Sequence, residues 1–267
     1  MDLLIAVILG IVQGITEWLP VSSSAHLVIL QHLFGYENST AYDIMVHGGT
    51  LLAVILYFRH DFLMLIKNFF LTFIDLFKIG KGAFTINEER RVTWYILVAT
   101  VPIVIVGLAL QDYIDTIFNS LLLVGIALII TGFWLASTYS KNGKEDVNLK
   151  KSLIIGLAQS AAILPGISRS GSTISTGMLL NIAKEKAARF SFLMSIPAIG
   201  GAFALELFTL PKNEMLNIPN ITGFITSFIV GILTIHLLLG IIKRGKFYLF
   251  SIYCWILGIA VIIYTLL

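Results

Sequence analysis

Charged residues and cysteines are scarce in this chain, and each shortage excludes a class of protein. Only 12% of the 267 residues are charged, whereas a soluble domain carries about 25%. With a mean hydropathy of +0.92, this deficit predicts an integral membrane protein. The single cysteine, Cys254, excludes an internal disulfide. The formal charge of +3 is small and the basic residues lie beside apolar segments, so we expect no nucleic-acid partner.

The long apolar runs predict an all-α polytopic membrane protein with one domain over residues 1–267. A crossing helix needs about 20 mostly apolar residues. Two apolar segments, 2–34 and 150–182, are interrupted by Leu-Pro and serines, which predicts re-entrant broken helices. Residues 61–80 mix apolar and charged positions and predict an interfacial helix. The six expected spans are 43–58, 92–111, 118–138, 187–208, 219–241 and 247–267.

The distribution of lysine and arginine predicts the orientation. The connections 35–42, 112–117 and 209–218 hold only Lys212. The basic clusters share the opposite face only if both broken segments re-enter, and the positive-inside rule makes that face cytoplasmic. We therefore expect both termini and the opening of the first broken segment on the outer side. The basic clusters lie within 59–91, 141–151, 184–189 and 243–246.

The two broken segments resemble each other. "GIVQGITEWLPVSSS" begins at Gly10 and "GLAQSAAILPGISRS" at Gly156, and both contain G-x-x-Q, Leu-Pro and serines. Each segment precedes three expected spans. Because three crossings leave the chain on the opposite side of the membrane, the second copy starts from that side and is inverted relative to the first. The sequence thus predicts an inverted repeat of 1–138 and 150–267, an arrangement that builds a buried polar site from broken helices.

The polar residues at the interruptions predict an anion site. Each interruption creates a helix N-terminus, whose free N–H groups favour anions. Arg169 lies among the second group of serines and can bind phosphate in a bidentate way. The simpler alternative is that Arg169 only neutralises Glu17. The candidate N-cap residues are Ser22, Ser23 and Ser24 after the first interruption, and Ser168, Ser170 and Ser172 after the second. Of these, Ser22, Ser24, Ser168 and Ser170 are the candidate phosphate-binding serines.

Glu17 and Gln13 predict a cation site. An acid inside the membrane costs about 2.5–3.5 kcal/mol on insertion scales, so it is functional by default. Gln13 lies four residues earlier, on the same helical face. Together they could hold a divalent cation such as Mg²⁺ or Ca²⁺ beside a phosphate. The simpler alternative is that Glu17 reaches the membrane interface.

His26 and the nearby serines predict catalytic chemistry. A histidine close to Ser23 could act as its general base or could itself attack phosphorus. We favour a serine activated by His26, because both can lie on one helical turn. His47, in "VHGGT", is a weaker candidate near a span start, and the remaining histidines are interpreted as structural.

These motifs resemble a known family. "QGITEWLPVSSSAHL", "VHGGTLLAVILYFR" and "LPGISRSGSTI" are similar, in this order, to the undecaprenyl-diphosphatases, the BacA-type bacitracin-resistance proteins. The resemblance covers essentially the whole chain. It implies a plasma-membrane phosphatase that hydrolyses undecaprenyl diphosphate to undecaprenyl phosphate and inorganic phosphate, and so recycles the carrier lipid for cell-wall synthesis.

The resemblance also implies roles for particular residues. The family serine and histidine fall on Ser23 and His26, and its essential arginine falls on Arg169, with Ser168 and Thr173 as flanking contacts. The family [E/Q]-x-x-x-E pattern begins here with Gln13, so one charge is missing from a two-carboxylate metal site.

A transporter is the rival interpretation. Inverted repeats with broken helices also suit alternating access, and a flippase for a lipid phosphate would need the same anion site. We favour an enzyme over a transporter, because binding an anion alone would not require an acid, a serine, a histidine and an arginine together. The expected partners are a polyprenyl diphosphate and the lipid bilayer, and a homodimer stays open as an alternative to a monomer.

Overall fold

The computed structural model describes residues 2–35, 40–113, 120–211 and 215–267. Lys212 and the start of the expected span 118–138 lie outside the described residues. The described residues form eleven α-helices and no strand beyond an isolated bridge. The helices are α1 (Leu3–Thr16), α2 (Ser23–Leu33), α3 (Thr40–Tyr57), α4 (Arg59–Ile79), α5 (Glu88–Ala109), α6 (Leu121–Ala136), α7 (Leu149–Ser160), α8 (Arg169–Leu179), α9 (Lys184–Thr209), α10 (Ile218–Lys243) and α11 (Phe250–Leu266).

Five of the described helical segments are long and apolar enough to cross a membrane. They coincide with α3, α5, α9, α10 and α11, and therefore with five of the six expected spans. The sixth expected span, 118–138, falls on α6, which is strongly apolar but has 16 residues, fewer than the roughly 20 that a crossing requires. Large apolar side chains such as Phe133 and Ile256 remain exposed, as a lipid-facing surface requires.

The first broken segment consists of α1 and α2, and the helix is interrupted between Thr16 and Ser23. Pro20 lacks a backbone N–H and restricts Leu19 before it, so the helix does not continue through this dipeptide. Ser22 then caps α2: its φ is +67°, which is rare outside glycine, and its Oγ accepts from the Ala25 N–H at 3.4 Å. The interruption lies where the sequence predicts it.

The second broken segment consists of α7, a short 3-10 turn and α8. Gly166 lies between the 3-10 turn and α8 with a φ of +105°, and a Cβ there would lie 2.5 Å from the Val124 carbonyl oxygen. Glycine is therefore required on both conformational and steric grounds. Ser168 caps α8, because its Oγ accepts from the Gly171 N–H at 3.0 Å.

The two interruptions contact each other directly. The Gly166 N–H donates to Ser22 Oγ at 3.1 Å. Ser22, which caps α2, therefore also accepts a hydrogen bond from a backbone N–H of the second interruption. Ser170 Oγ donates to the Leu19 carbonyl oxygen at 3.2 Å. The N-termini of α2 and α8 are thereby held beside each other, although they are far apart in sequence.

Glycines let each broken segment pack closely against a span from the other half of the chain. A Cβ at Gly10 of α1 would lie 3.0 Å from the Gly223 carbonyl oxygen of α10, and one at Gly156 of α7 would lie 2.3 Å from the Ala99 carbonyl oxygen of α5. The first half-helix of each segment is therefore fixed by backbone contact with the other half of the chain.

Helix α4 covers the expected interfacial segment 61–80 and packs on α5. Arg90 is buried and donates to Asp75 at 2.8 Å, which ties the two helices together. The outer face of α4 is apolar, and Phe77 is 91% exposed. The structure thus has the amphipathic helix that the sequence predicts.

The connection between α6 and α7 is tied to the end of α8. The backbone of Glu145 forms an isolated β-bridge with that of Ile182. The Glu145 carboxylate accepts hydrogen bonds from Lys151 at 2.6 Å and Asn181 at 2.7 Å. These two hydrogen bonds hold the pKa of the exposed Glu145 carboxyl below its usual range. The second broken segment therefore has its two ends fixed together.

Candidate active site

A cavity of about 850 Å³ lies where the two interruptions meet. Its wall combines residues from both broken segments with residues of α3, α5 and α9. The sequence-predicted residues in the wall are Glu17, Ser22, Ser23, Ser24, Ser168 and Arg169. The structure thus brings together, in one cavity, side chains that the sequence placed in two separate motifs.

Glu17 is the centre of this cavity. Its side chain is buried, and its Oε2 accepts from Ser23 Oγ at 2.6 Å and from Gln13 Nε2 at 3.1 Å. Its Oε1 forms an ion pair with Arg169 Nη2. A buried carboxylate requires such a set of donors, because burial removes most of its contact with solvent.

Local helix geometry explains why these residues meet. Gln13 and Glu17 are one turn apart at the end of α1, so their side chains share a face. The chain reversal at Leu19-Pro20 then brings Ser23, the first residue of α2, back beside that last turn. One short motif therefore supplies a carboxylate and a hydroxyl in contact.

Arg169 begins α8 and carries the positive charge from the other half of the chain. Its Nη2 donates to Glu17, while its Nη1 is buried and has no hydrogen-bond partner. Its guanidinium carbon lies 5.4 Å from the centroid of the Trp18 ring, in cation–π range. The ion pair leaves the N–H groups of Nη1, at the edge of the guanidinium, without a protein acceptor, so they can donate to a phosphate oxygen.

The remaining predicted serines and the threonine divide into two groups. Ser22, Ser24 and Ser168 line the cavity, and Ser22 and Ser24 share a hydrogen bond of 3.1 Å between their Oγ atoms. Ser170 and Thr173 are buried behind the wall. Thr173 Oγ1 donates to the Arg169 carbonyl oxygen at 2.7 Å, which supports the first turn of α8.

His26 does not contact Ser23 in this structure. Its Nδ1 donates to the Ser22 carbonyl oxygen at 2.7 Å, and its Nε2 accepts from the Tyr253 hydroxyl at 2.6 Å. The ring stacks on Tyr253 and is not part of the cavity wall. The hydroxyl of Ser23 is instead directed at Glu17, so the expected Ser23–His26 pair is replaced by a Ser23–Glu17 pair.

His47, a weaker candidate in the sequence analysis, lies in the cavity wall. Its Nδ1 donates to the Asp43 carbonyl oxygen at 2.7 Å, and its Nε2 lies 3.6 Å from Glu17 Oε2. A carbonyl oxygen only accepts hydrogen bonds, so Nδ1 carries the proton and Nε2 faces the carboxylate. The signal in the sequence was a polar residue beside glycines on a span, but its distance to Glu17 depends on how α3 packs against α1.

Five further polar residues of the wall were not predicted as site residues: Thr16, Thr40, Asp43, Gln159 and Glu206. Asp43 accepts from Gln31 at 2.8 Å. Gln159 is fully buried, and neither of its amide atoms has a hydrogen-bond partner. The repeat itself pointed to Gln159, because it occupies the position in "GLAQ" that Gln13 occupies in "GIVQ".

The expected cation ligands, Glu17 and Gln13, are adjacent, but they do not form a complete metal site. The described residues contain no group of three or more histidine, cysteine or acidic side chains that could hold an ion. Both Glu17 oxygens are hydrogen-bonded, and only Gln13 Oε1 is buried without a partner. The residues therefore fit an ion that takes most of its ligands from phosphate and water, as Mg²⁺ often does.

Comparison with known proteins agrees with the motifs. Residues 6–260 match the family described as bacitracin resistance protein BacA. A relative named undecaprenyl-diphosphatase from Korarchaeum cryptofilum is 49% identical over 262 residues, 98% of this chain and 99% of the relative. Relatives of the same name from Methanosphaera stadtmanae and Bacteroides thetaiotaomicron are 43% and 42% identical, each over 98% of this chain and at least 98% of the relative. This similarity covers nearly the full length of all four chains and includes both broken segments, so the chain belongs to the bacitracin resistance protein BacA family.

Proposed function

We propose that this protein is a membrane phosphatase that hydrolyses undecaprenyl diphosphate to undecaprenyl phosphate and inorganic phosphate. The full-length similarity to undecaprenyl-diphosphatases supports the substrate. The observation that carries the proposal is that Ser23 and Arg169 contact the same buried carboxylate, Glu17, in one cavity. The product is the carrier lipid for cell-wall synthesis, and faster recycling of that lipid gives bacitracin resistance.

Ser23 is the proposed nucleophile. Its hydroxyl already donates to Glu17 Oε2 at 2.6 Å, so attack on the terminal phosphorus passes the hydroxyl proton to that carboxylate. The bond from phosphorus to the bridging oxygen breaks, and undecaprenyl phosphate leaves. Water then attacks the phosphoserine and the bond from Ser23 Oγ to phosphorus breaks. Oγ takes back the proton held by Glu17, and inorganic phosphate leaves with the protons of the water.

Arg169 and the two helix N-termini stabilise the charge of the transferred phosphoryl group. Arg169 Nη1 has no partner in the protein, so it can donate to an equatorial oxygen without breaking the ion pair with Glu17. The N-termini of α2 and α8 add backbone dipoles that point at the same cavity. Such fixed donors contribute most where charge develops in the transition state.

His26 remains the alternative nucleophile or base. It would have to turn away from Tyr253 to reach the cavity, because both ring nitrogens already have hydrogen-bond partners, the Ser22 carbonyl oxygen and the Tyr253 hydroxyl. The two nucleophiles leave different trapped intermediates. An acid-stable phosphoenzyme identifies the serine, whereas an acid-labile phosphoramidate identifies His26.

A divalent cation, Mg²⁺ or Ca²⁺, is the proposed cofactor. Glu17 and Gln13 are its protein ligands, and the unpartnered Gln13 Oε1 is the atom that supports this assignment. The ion would screen the charge of the diphosphate when bound. Gln13 is neutral, so the site offers a single carboxylate.

The proposed topology has six crossings and two re-entrant segments in an inverted repeat of 1–138 and 150–267. The packing of α1 on α10 and of α7 on α5 supports it. In the inverted repeat α1 corresponds to α7 and α10 to α5, so the two contacts are equivalent. The basic connections support a plasma-membrane orientation with the cavity on the outer side. In this topology α6 crosses with its 16 helical residues and the flanking chain.

A transporter for a lipid phosphate is the second candidate. The observation that favours it is a second cavity, of about 500 Å³, which shares Thr16 with the first and is lined mainly by apolar residues. Alternating access needs a route to the polar site from each side of the membrane, and a second cavity next to the first could supply one of these routes.

Phosphate release from a long-chain prenyl diphosphate by the purified protein tests the proposal. We expect release by the parent and its loss in Glu17→Ala and Arg169→Ala. The exposed residues Glu185 and Arg91 give matched controls, and Glu185→Ala and Arg91→Ala should keep parental activity. Activity in the two cavity variants would overturn the site, and an inactive parent would favour the transporter.

A further inference from the structure

Gln159 is a buried polar side chain that the mechanism above does not use. It is the second-last residue of α7 and it is fully buried, yet neither its Nε2 nor its Oε1 has a hydrogen-bond partner in the protein. The large majority of buried side-chain polar atoms in proteins are hydrogen-bonded. An amide that lacks both partners and lies in a cavity wall is therefore placed to meet a ligand.

The repeat explains why this amide is free. Gln13, its counterpart in the first broken segment, donates to Glu17 four residues later. Four residues after Gln159 the chain has Ile163, and the residue that matches Glu17 when counted back from Leu-Pro is Ala162. The second copy keeps the amide but has no acid for it to bind.

A second residue of the wall also has a donor without a partner. Arg169 lines the same cavity, and its Nη1 is buried and has no hydrogen-bond partner. Gln159 Nε2 and Arg169 Nη1 are the two buried nitrogens without a partner in the wall, among the residues that the structure describes. A neutral donor and a cationic one in the wall of one cavity suit a group with several anionic oxygens, such as a diphosphate.

We propose that Gln159 is a substrate-binding residue, whose Nε2 donates to a non-bridging oxygen of the diphosphate that Arg169 also holds. This inference rests on the proposed function and deepens it. A diphosphate has two phosphate groups to satisfy, whereas the product phosphate has one. Gln159 therefore favours the diphosphate over the monophosphate in this cavity.

Steady-state kinetics of Gln159→Leu and Gln159→Glu test the assignment. Leucine removes both polar atoms at similar volume, and glutamate keeps the shape but repels phosphate. We expect the KM for a long-chain prenyl diphosphate to rise about 10- to 100-fold, more for glutamate than for leucine, with a smaller change in kcat. Asn68 is also buried with an unpartnered amide nitrogen, but it lies on α4 outside the cavity. Asn68→Leu is the matched control and should keep the parental KM.

Competition by inorganic pyrophosphate and by orthophosphate provides a readout that a structural role would not move. In Gln159→Leu, inhibition by pyrophosphate should weaken about 10-fold or more, and inhibition by orthophosphate should change less. If both variants retain the parental KM and the parental inhibition by pyrophosphate, the inference is wrong. If the parent releases no phosphate, the proposed function fails, and direct titration of pyrophosphate into parent and variant still decides whether Gln159 binds a diphosphate.

Discussion

Replacing Arg169 with methionine should destabilise the protein, because it leaves Glu17 buried without its counter-charge. Glu17 is 7% exposed and keeps the neutral donors Ser23 and Gln13, at 2.6 Å and 3.1 Å. Removing one partner of a buried ion pair costs about 3–5 kcal/mol. The two remaining hydrogen bonds, and His47 at 3.6 Å from the carboxylate, place our expectation at the lower end, about 3 kcal/mol.

The double variant Glu17→Gln/Arg169→Met separates the charge effect from the loss of packing. Glutamine has the shape of glutamate and can still accept from Ser23, and methionine replaces the apolar stem of the arginine. Replacing a whole buried ion pair with neutral groups is often nearly neutral. We therefore expect the double variant to lie within about 1 kcal/mol of the parent, well above the Arg169→Met single variant.

Equilibrium unfolding in detergent micelles measures this coupling, and phosphate release measures the activity. Stability should return in the double variant while activity stays lost, because no arginine holds the phosphate. Arg91→Met removes an exposed arginine and should shift stability by no more than about 0.5 kcal/mol. A double variant as unstable as the single one would refute the view that an uncompensated charge causes the loss.

Three further predictions follow from the geometry. Ser23→Ala should lower kcat for phosphate release by about a thousandfold or more, because it removes the nucleophile. His47→Ala should lower kcat/KM by about tenfold or more, because its Nε2 lies 3.6 Å from the cavity carboxylate. Gly156→Val should lower the unfolding temperature, since its Cβ would lie 2.3 Å from the Ala99 carbonyl oxygen and overpacking costs about 1–3 kcal/mol. Gly201→Val, where nothing lies within 4 Å, is the control and should leave that temperature within a few degrees of the parent.

The sequence was most informative where a polar residue interrupts an apolar run. Glu17 and Arg169 were predicted to lie together because each is expensive inside a membrane unless it is paired or used, and the structure joins them. The interruption at Leu19-Pro20 was equally readable, because proline acts on the local backbone. Such features depend on residue chemistry and short spacing, which a sequence displays directly.

The sequence was less informative where a side chain has more than one partner within reach. His26 follows Ser23 closely enough to predict a pair, but Tyr253, 227 residues further on, holds its Nε2 instead. The position of His47 depends on how α3 packs against α1. The span at 118–138 was predicted from hydropathy, which does not define the 16-residue length of α6. These outcomes depend on tertiary packing, which local spacing does not encode.

The ion pair between Glu17 and Arg169 joins residues 152 positions apart, and this separation has a consequence for biosynthesis. At about 5–20 residues per second, a ribosome needs roughly 8–30 s to make the chain between them. During that interval the newly made first half contains an acid whose counter-charge does not yet exist, and inserting such an acid costs about 2.5–3.5 kcal/mol. We therefore expect the first broken segment to reach its final depth only after the second half emerges, so that the proposed catalytic centre is among the last parts of the protein to form.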